Sequence, residues 1–280
     1  MTQQICTVKK QDLRIRNGSE TIFGVLSIPE GSGPFPAVQI GHGYNGSFLD
    51  WEQECRYFAE NGIAAFAYDF CGGSVHSRST GKTSAMSVFS EKSDALAVFQ
   101  ALSSLESIDA SKLFLMGGSQ GGFATALAAE EIGSKAAGMI LIYPALCIPD
   151  DWRRKYPAGS EIPEVFDFWG MQLGSCYAEA ARKIDVFRSI GTFQKPVLLF
   201  HGTEDAIVPF TYSQQAAGLY PDARLVTLPG KDTVSPLTGQ GLPCSRRCGS
   251  CRRSCKHSMY RSCLQGTVAI FFAVSLCLSC

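Results

Sequence analysis

Hydrophobic and polar positions follow two different periods over the first 230 residues. Apolar side chains at every second position in residues 5–15 and 22–28 predict an antiparallel pair of strands at a sheet edge. Short apolar runs predict further, buried strands at residues 37–40, 63–70, 113–116, 138–143, 196–200 and 223–228. Helical stretches separate most of them, at about residues 51–60, 91–105, 123–129 and 211–219. This alternation predicts an α/β fold: a mostly parallel sheet with helices on both faces.

Asp50 stands directly before the predicted helix at 51–60 and is expected to cap its N-terminus, while Asn61-Gly62 is expected to end it. A longer stretch, residues 145–190, interrupts the strand–helix alternation. It is rich in proline and aromatic residues: Pro149, Trp152, Tyr156, Pro157, Pro163, Phe166, Phe168, Trp169 and Tyr177. Such an insertion at the carboxyl edge of a sheet is typical of a lid or substrate pocket. A surface excursion with its own small core is the alternative.

Composition limits the class of protein. A chain of 280 residues with 45% apolar and 18% charged residues is expected to hold one α/β domain, with room for an appendage. The formal net charge of zero argues against nucleic acid as a partner, because binding phosphates requires clustered basic residues. Residues 1–16 are too polar for a signal peptide, so we expect a cytoplasmic protein with no membrane partner.

The stretch from Lys112 to Ala129 carries the candidate chemistry. An apolar strand ends in Gly117-Gly118-Ser119-Gln120-Gly121-Gly122, and a helix of small residues follows. This is G-x-S-x-G between a strand and a helix, the arrangement that exposes a nucleophilic serine on a sharp turn. Glycines let the neighbouring backbone pass closely, and the N-terminus of the helix stabilises a developing oxyanion. We therefore predict Ser119 as a nucleophile.

A candidate acid follows the predicted strand at 196–200. An acid at the carboxyl end of a later strand is where a serine hydrolase keeps the carboxylate that orients its base. Both Glu204 and Asp205 are available, and the apolar turn 207–209 after Asp205 favours Asp205. An ordinary aspartate in a surface turn is the alternative interpretation.

His42-Gly43-Tyr44 follows the predicted strand at 37–40, where a second oxyanion donor is expected. The predicted donors are the backbone N–H groups of Tyr44 and Gln120. Loss of one such donor typically costs a few kcal/mol of transition-state stabilisation. His42 itself is predicted to pack and form hydrogen bonds rather than to transfer protons.

These separated motifs, together with Asp69-Phe70-Cys71-Gly72-Gly73 and the run from Pro196 to Asp205, resemble the α/β-hydrolase superfamily over residues 5–230. Within it, the chain is most similar to bacterial cinnamoyl/feruloyl-type esterases and to acylaminoacyl-peptidase-like hydrolases of the S9 and dienelactone-hydrolase type. The resemblance implies a serine hydrolase or carboxylesterase without a cofactor, a lid built from the insertion, and small or medium acyl esters as substrates. Hydrolysis of acyl peptides is an open alternative to ester hydrolysis. The oligomeric state is also open, with a homodimer as one candidate.

One part of the pattern is missing. The resemblance implies a histidine, the general base, in a Gly-His-Gly-Phe-like turn after the last strand. Here residues 229–235 read Pro-Gly-Lys-Asp-Thr-Val-Ser. A serine hydroxyl without a base is a poor nucleophile near neutral pH, so a catalytically inactive α/β-hydrolase is a further alternative.

The composition also changes after residue 231. Aspartate and glutamate do not occur beyond Asp232, whereas cysteines crowd there, at Cys244, Cys248, Cys251, Cys255, Cys263, Cys277 and Cys280. Gly-Lys-Gly-His-Gly-Phe can be encoded GGN-AAG-GGA-CAC-GGT-TTC, and loss of one G converts its last part to Lys-Asp-Thr-Val-Ser, the residues found from Lys231. We therefore hypothesise that residues 231–280 are translated out of frame.

Residues 231–280 also allow three other interpretations. Several cysteine spacings would allow a zinc site with His257. Residues 264–278 are apolar but short for a membrane anchor. His257 could also act as a substitute base, although it lies far beyond the usual position.

Overall fold

The computed structural model describes residues 6–230 of the chain. The strands in this range are β1 (Val8–Asn17), β2 (Glu20–Pro29), β3 (Phe35–Gly41), β4 (Ala64–Tyr68), β5 (Ile108–Gly118), β6 (Gly138–Ile142), β7 (Val165–Phe168), β8 (Met171–Gly174), β9 (Val197–Gly202) and β10 (Ala223–Leu228). Eight of them form one sheet in the order β1-β2-β4-β3-β5-β6-β9-β10. Strand β2 pairs antiparallel with β1 and β4, and the other neighbours are parallel. The predicted α/β fold is confirmed.

The helices are α1 (Glu52–Glu60), α2 (Val88–Ser103), α3 (Ser119–Ile132), α4 (Ile148–Lys155), α5 (Ser175–Lys183), α6 (Val186–Ser189) and α7 (Phe210–Leu219). The prediction that Asp50 caps α1 is wrong. A short 3-10 turn over Phe48–Trp51 precedes α1, and Ser47 caps that turn. The Asp50 carboxylate accepts the Ser47 backbone N–H at 2.9 Å, completing a capping box.

Side chains along β5 alternate between the two faces of the sheet. Phe114 and Met116 pack with Phe58 of α1 on one face, whereas Leu113 and Leu115 lie in the core that α2, α3 and α7 cover. Burial on both faces explains why the inner strands are almost uninterrupted apolar runs. Each buried side chain of this size contributes about 1.5–3 kcal/mol relative to exposure.

The parallel strands bring four loops to one edge of the sheet, because parallel neighbours end on the same side. The loop at His42–Tyr44 follows β3, Ser119 follows β5, Tyr143 follows β6, and Asp205 follows β9. The predicted site residues, although distant in sequence, therefore meet at the carboxyl edge.

Residues 145–190 fold as α4, the β7–β8 hairpin, α5 and α6. Trp152 lies at the centre of an aromatic cluster, with the rings of Tyr156, Phe166, Phe168 and Tyr177 at centroid distances of 5.0–6.0 Å. The insertion also reaches the sheet edge, since the Tyr44 hydroxyl donates to the Phe168 carbonyl at 2.6 Å. It therefore has its own small core and also lies beside the candidate site. Within residues 6–230, no helix has the length and apolar character needed to span a bilayer.

Candidate active site

Ser119 occupies the sharp turn between β5 and α3. Its backbone has φ +52°, in the left-handed region that non-glycine residues rarely adopt, and its side chain is partly exposed. Crowding explains the flanking glycines: a Cβ at Gly121 would lie 2.2 Å from the His42 carbonyl oxygen, and one at Gly118 would lie 2.7 Å from the Trp51 ring. The strained turn therefore presents the Ser119 hydroxyl at the sheet edge.

A cleft of about 590 Å³ opens beside Ser119. Its walls come from the loop after β3, the start of α1, the nucleophile turn and the residue after β6. The lining residues are Gly43, Tyr44, Gly46, Ser47, Leu49, Asp50, Trp51, Glu52, Gln53, His76, Gly118, Ser119 and Tyr143. Ser119 is therefore accessible to a small molecule in the cleft.

The loop after β3 approaches Ser119 closely. A Cβ built at Gly43 would lie 3.3 Å from the Ser119 Cβ and 3.8 Å from its hydroxyl oxygen. The next residue, Tyr44, lines the same cleft. Gln120 lies in the first turn of α3, where helical N–H groups have no intrahelical acceptor. The two predicted oxyanion donors thus belong to segments that meet at Ser119.

His42 is a structural residue, as the sequence predicted. Its ring is fully buried, Nε2 accepts the Phe70 backbone N–H at 3.1 Å, and Nδ1 lies 2.7 Å from the Gly43 carbonyl. Nδ1 therefore carries the proton of a neutral ring. Burial is the largest cause that lowers the pKa of His42. Both ring nitrogens are engaged, so His42 has no atom available to accept a proton from Ser119.

Of the two candidate acids, Asp205 is buried and Glu204 is exposed. The Asp205 Oδ1 accepts the backbone N–H groups of Ile207 and Val208 at 2.9 and 2.7 Å. Its Oδ2 lies 3.3 Å from Nε2 of His201, a buried residue that the sequence interpretation did not single out. His201 also contacts the Val208 carbonyl at 2.9 Å. The loop after β9 thus holds the Asp205 carboxylate in one orientation.

Packing connects Asp205 to the turn at Ser119. The Ser119 carbonyl accepts the Ala145 N–H at 2.9 Å. Ala145 packs in one apolar cluster with Val208, whose N–H donates to Asp205. Tyr143 lies close to both regions. It lines the cleft beside Ser119. Its pKa is raised mainly by burial, then by the charges of Glu54 and Asp50, and last by the charge of Asp205.

The missing base and its alternatives fall outside the described residues. This part of the chain contains residues 231–235, the cysteines from Cys244 to Cys280, His257 and the apolar stretch 264–278. The histidines within residues 6–230 are His42, His76 and His201. His76 is exposed and lines the cleft with Ser119, which the sequence did not indicate because His76 lies outside the Asp69–Gly73 motif of its loop.

Sequence reasoning also missed Glu54, a buried carboxyl group on α1 near the cleft. It is 1% exposed, and neither of its oxygens has a hydrogen-bond partner among the described residues. Burial raises the pKa of Glu54 to about 7. Burial first, and then the Glu54 charge, raise the pKa of Tyr143 to about 12. Glu54 was overlooked because its position in a polar helix predicts an exposed side chain.

We expect Glu54→Gln to remove part of the pH dependence of stability. The folded-state pKa of about 7 exceeds the ordinary value of 4.5, so the stabilising effect of the protonated form is complete below pH 4.5 and is lost as pH rises through 7. The loss amounts to roughly 3 kcal/mol. Thermal melts of both proteins from pH 4.5 to 8 measure it. As pH rises, the melting temperature of the variant is expected to fall less than that of the unmodified protein. If the melting temperatures of the two proteins fall equally with pH, the assignment to Glu54 is contradicted.

The parallel sheet, the strained serine turn and the loops that meet there define an α/β-hydrolase. The chain belongs to the family described as serine aminopeptidase, S33, which matches residues 33–173. It is therefore a hydrolase, and the predicted superfamily is confirmed. Among curated proteins, none matches this chain by sequence.

Solved structures show the same fold. Est1E from Butyrivibrio proteoclasticus, with bound ferulic acid, is 27% identical with a TM-score of 0.71; the match covers 79% of this chain and 90% of that one. Mouse alpha/beta hydrolase domain-containing protein 10 is 20% identical with a TM-score of 0.62, covering 81% and 92%. The esterase domain of a Rhodothermus marinus protein is 20% identical with a TM-score of 0.58, covering 80% and 90%. The last two support the fold alone.

Proposed function

We propose that this chain is a serine hydrolase that cleaves small or medium acyl esters through an acyl-enzyme on Ser119. The observation that carries the proposal is the partly exposed Ser119 on its strained turn, facing a cleft between the Gly43–Tyr44 loop and the N-terminus of α3. Ester hydrolysis is also supported at a coarse level by the family and by the similarity to Est1E.

In the proposed reaction the Ser119 oxygen attacks the ester carbonyl, and the Tyr44 and Gln120 N–H groups stabilise the oxyanion. The alcohol leaves with its oxygen, and the acyl group stays on Ser119 until water releases it. Asp205 would orient a base that takes the serine proton, gives it to the leaving alkoxide and later activates that water. That base histidine is not at its usual place, so both steps are slow in this chain.

Acyl-enzyme accumulation tests the proposal. A p-nitrophenolate leaving group needs no proton, so Ser119 can be acylated slowly by p-nitrophenyl acetate or butyrate, whereas deacylation still needs an activated water. We expect mass spectrometry to find one acyl group on the peptide that contains Ser119. Ser119→Ala should abolish this adduct, and Ser104→Ala, at an exposed helix end, should retain it. An unmodified Ser119 after prolonged incubation would instead support a non-catalytic product of this fold.

Hydrolysis of peptides with a free or acylated N-terminus is the second candidate. The family description favours the free N-terminus, and the exposed Asp50 carboxylate in the cleft would attract its ammonium group. Glu52, also in the cleft, is paired with Lys10 at 2.6 Å and offers less free charge. Aminoacyl p-nitroanilides compared with p-nitrophenyl and feruloyl esters distinguish the two candidates.

A further inference from the structure

A buried chain of hydrogen bonds runs from α2 through the nucleophile turn to the insertion. Gln120 Nε2 donates to the Glu91 carboxyl Oε1 at 2.7 Å, and the Tyr177 hydroxyl donates to Gln120 Oε1 at 2.5 Å. All three side chains are at most 2% exposed. The side-chain amide of Gln120 can bridge the other two groups because it has one accepting and one donating end. Its nitrogen donates to Glu91, and its oxygen accepts the hydrogen bond from Tyr177.

The second predicted oxyanion residue is also tied to the insertion. The Tyr44 hydroxyl donates to the Phe168 carbonyl, and the rings of Tyr44 and Phe168 meet edge to face with centroids 5.4 Å apart. Thus Tyr44 contacts the β7–β8 hairpin and Gln120 contacts α5. The two residues beside Ser119 that supply the proposed N–H groups both hold the insertion through their side chains.

Glu91 lies in surroundings that disfavour its charge. Its second oxygen, Oε2, has no hydrogen-bond partner among the described residues. Burial is the largest cause that raises the pKa of Glu91 to about 8; Gln120 opposes the rise and Asp94 adds to it. The Glu91 charge also contributes to raising the pKa of three tyrosines from other segments, Tyr44, Tyr68 and Tyr177. None of these groups is a cation that would balance an ionised Glu91.

We propose that Glu91 is a positioning residue: its neutral carboxyl group holds the Gln120 side chain, and through it fastens α5 of the insertion to the nucleophile turn. Loss of the Glu91 proton leaves a buried charge that the one hydrogen bond from Gln120 stabilises only in part, so further stabilisation has to come from water. Water reaches it when α5 and the first turn of α3 loosen. Glu91 thereby couples the opening of the insertion to pH. Its effect on the oxyanion N–H groups rests on the proposed function.

Hydrogen–deuterium exchange of the full chain tests this coupling without requiring catalysis. After correction for intrinsic exchange, we expect exchange in residues 119–123 and 175–183 to become about tenfold faster between pH 7 and 9. In Glu91→Gln, which keeps the shape and the acceptor but has no proton to lose, both segments should stay protected over this range. Unchanged pH dependence in Glu91→Gln, or no pH dependence in the unmodified protein, would overturn the proposal.

Tyr177→Phe tests the second link, since it removes one hydroxyl from the far end of the chain of hydrogen bonds. In this variant we expect the exchange rate of residues 119–123 to keep its pH dependence and the exchange rate of α5 to lose it. If α5 keeps its pH dependence, Gln120 does not transmit the effect. Acylation of Ser119, measured separately, tests the proposed function, so failure of one proposal is distinguishable from failure of the other.

Discussion

Insertion of one nucleotide at codon 231 is expected to raise the hydrolysis of p-nitrophenyl butyrate by about 10⁴-fold or more. The insertion would restore Lys-Gly-His-Gly after Gly230, and with it the histidine that the family resemblance implies. The described part of the chain already contains the other parts: partly exposed Ser119, the buried Asp205 carboxylate and a loop that holds it through two N–H groups. Within residues 6–230 no histidine links these two proposed catalytic groups, and the repaired reading would add one at position 233.

The large factor follows from the way triad residues act together. An enzyme that lacks the base and an enzyme that lacks the serine are slowed by nearly the same factor, and removing both residues slows the reaction little further. The effects of the two residues are therefore not additive. We therefore expect Ser119→Ala to change turnover little in the unrepaired chain and to abolish the gain in the repaired one. Steady-state rates of these four proteins complete the cycle.

Two controls make the outcome decisive. His76→Ala in the unrepaired chain shows whether this exposed histidine of the cleft contributes to residual turnover. Sequencing of the coding DNA around codon 231 shows whether the gene itself lacks the one nucleotide. The frame hypothesis would be abandoned if the unrepaired protein already turned over esters as fast as the repaired one.

Gly121→Ala is expected to destabilise the fold by about 3 kcal/mol or more. The added Cβ would lie 2.2 Å from the His42 carbonyl oxygen and 2.6 Å from the Gly41 carbonyl oxygen. Both contacts are backbone, so no flexible side chain can move aside. The first turn of α3 would have to withdraw from the end of β3, and Ser119 and Gln120 would move with it.

Gly218→Ala is the matched control. Gly218 lies in α7, and a Cβ there would meet nothing within 4 Å. Alanine is favoured over glycine in a helix by about 1 kcal/mol, so this variant should be as stable as the unmodified protein or slightly more stable. Urea unfolding of the two variants measures the contrast. A Gly121→Ala protein as stable as the control would show that α3 does not approach β3 this closely.

The sequence predicted the order of strands and helices, because each buried strand is a short apolar run and each is followed by a turn. It predicted the Ser119 turn because G-x-S-x-G occupied a strand-to-helix junction. Helix starts were less accurate. Ser87 accepts the Ser90 N–H and caps α2, which begins at Val88, three residues before the expected position, and Asp50 caps no α-helix. Such starts depend on which hydroxyl or carboxylate reaches a free N–H group, and several candidates compete within one turn.

The amino-acid pattern by itself therefore determined the fold class and the sharp turn at Ser119, and it proposed Asp205 as the acid, because those features depend on local spacing and on which strand they follow. Tertiary structure alone decided what surrounds them. The burial of Glu54, the contact between His201 and Asp205, and the connection of Glu91 to Tyr177 through Gln120 join residues 4 to 86 positions apart. A polar residue on a helix or strand has the same local pattern whether it faces water or the core. Only packing against other elements removes its water and thereby shifts its pKa and selects its partners.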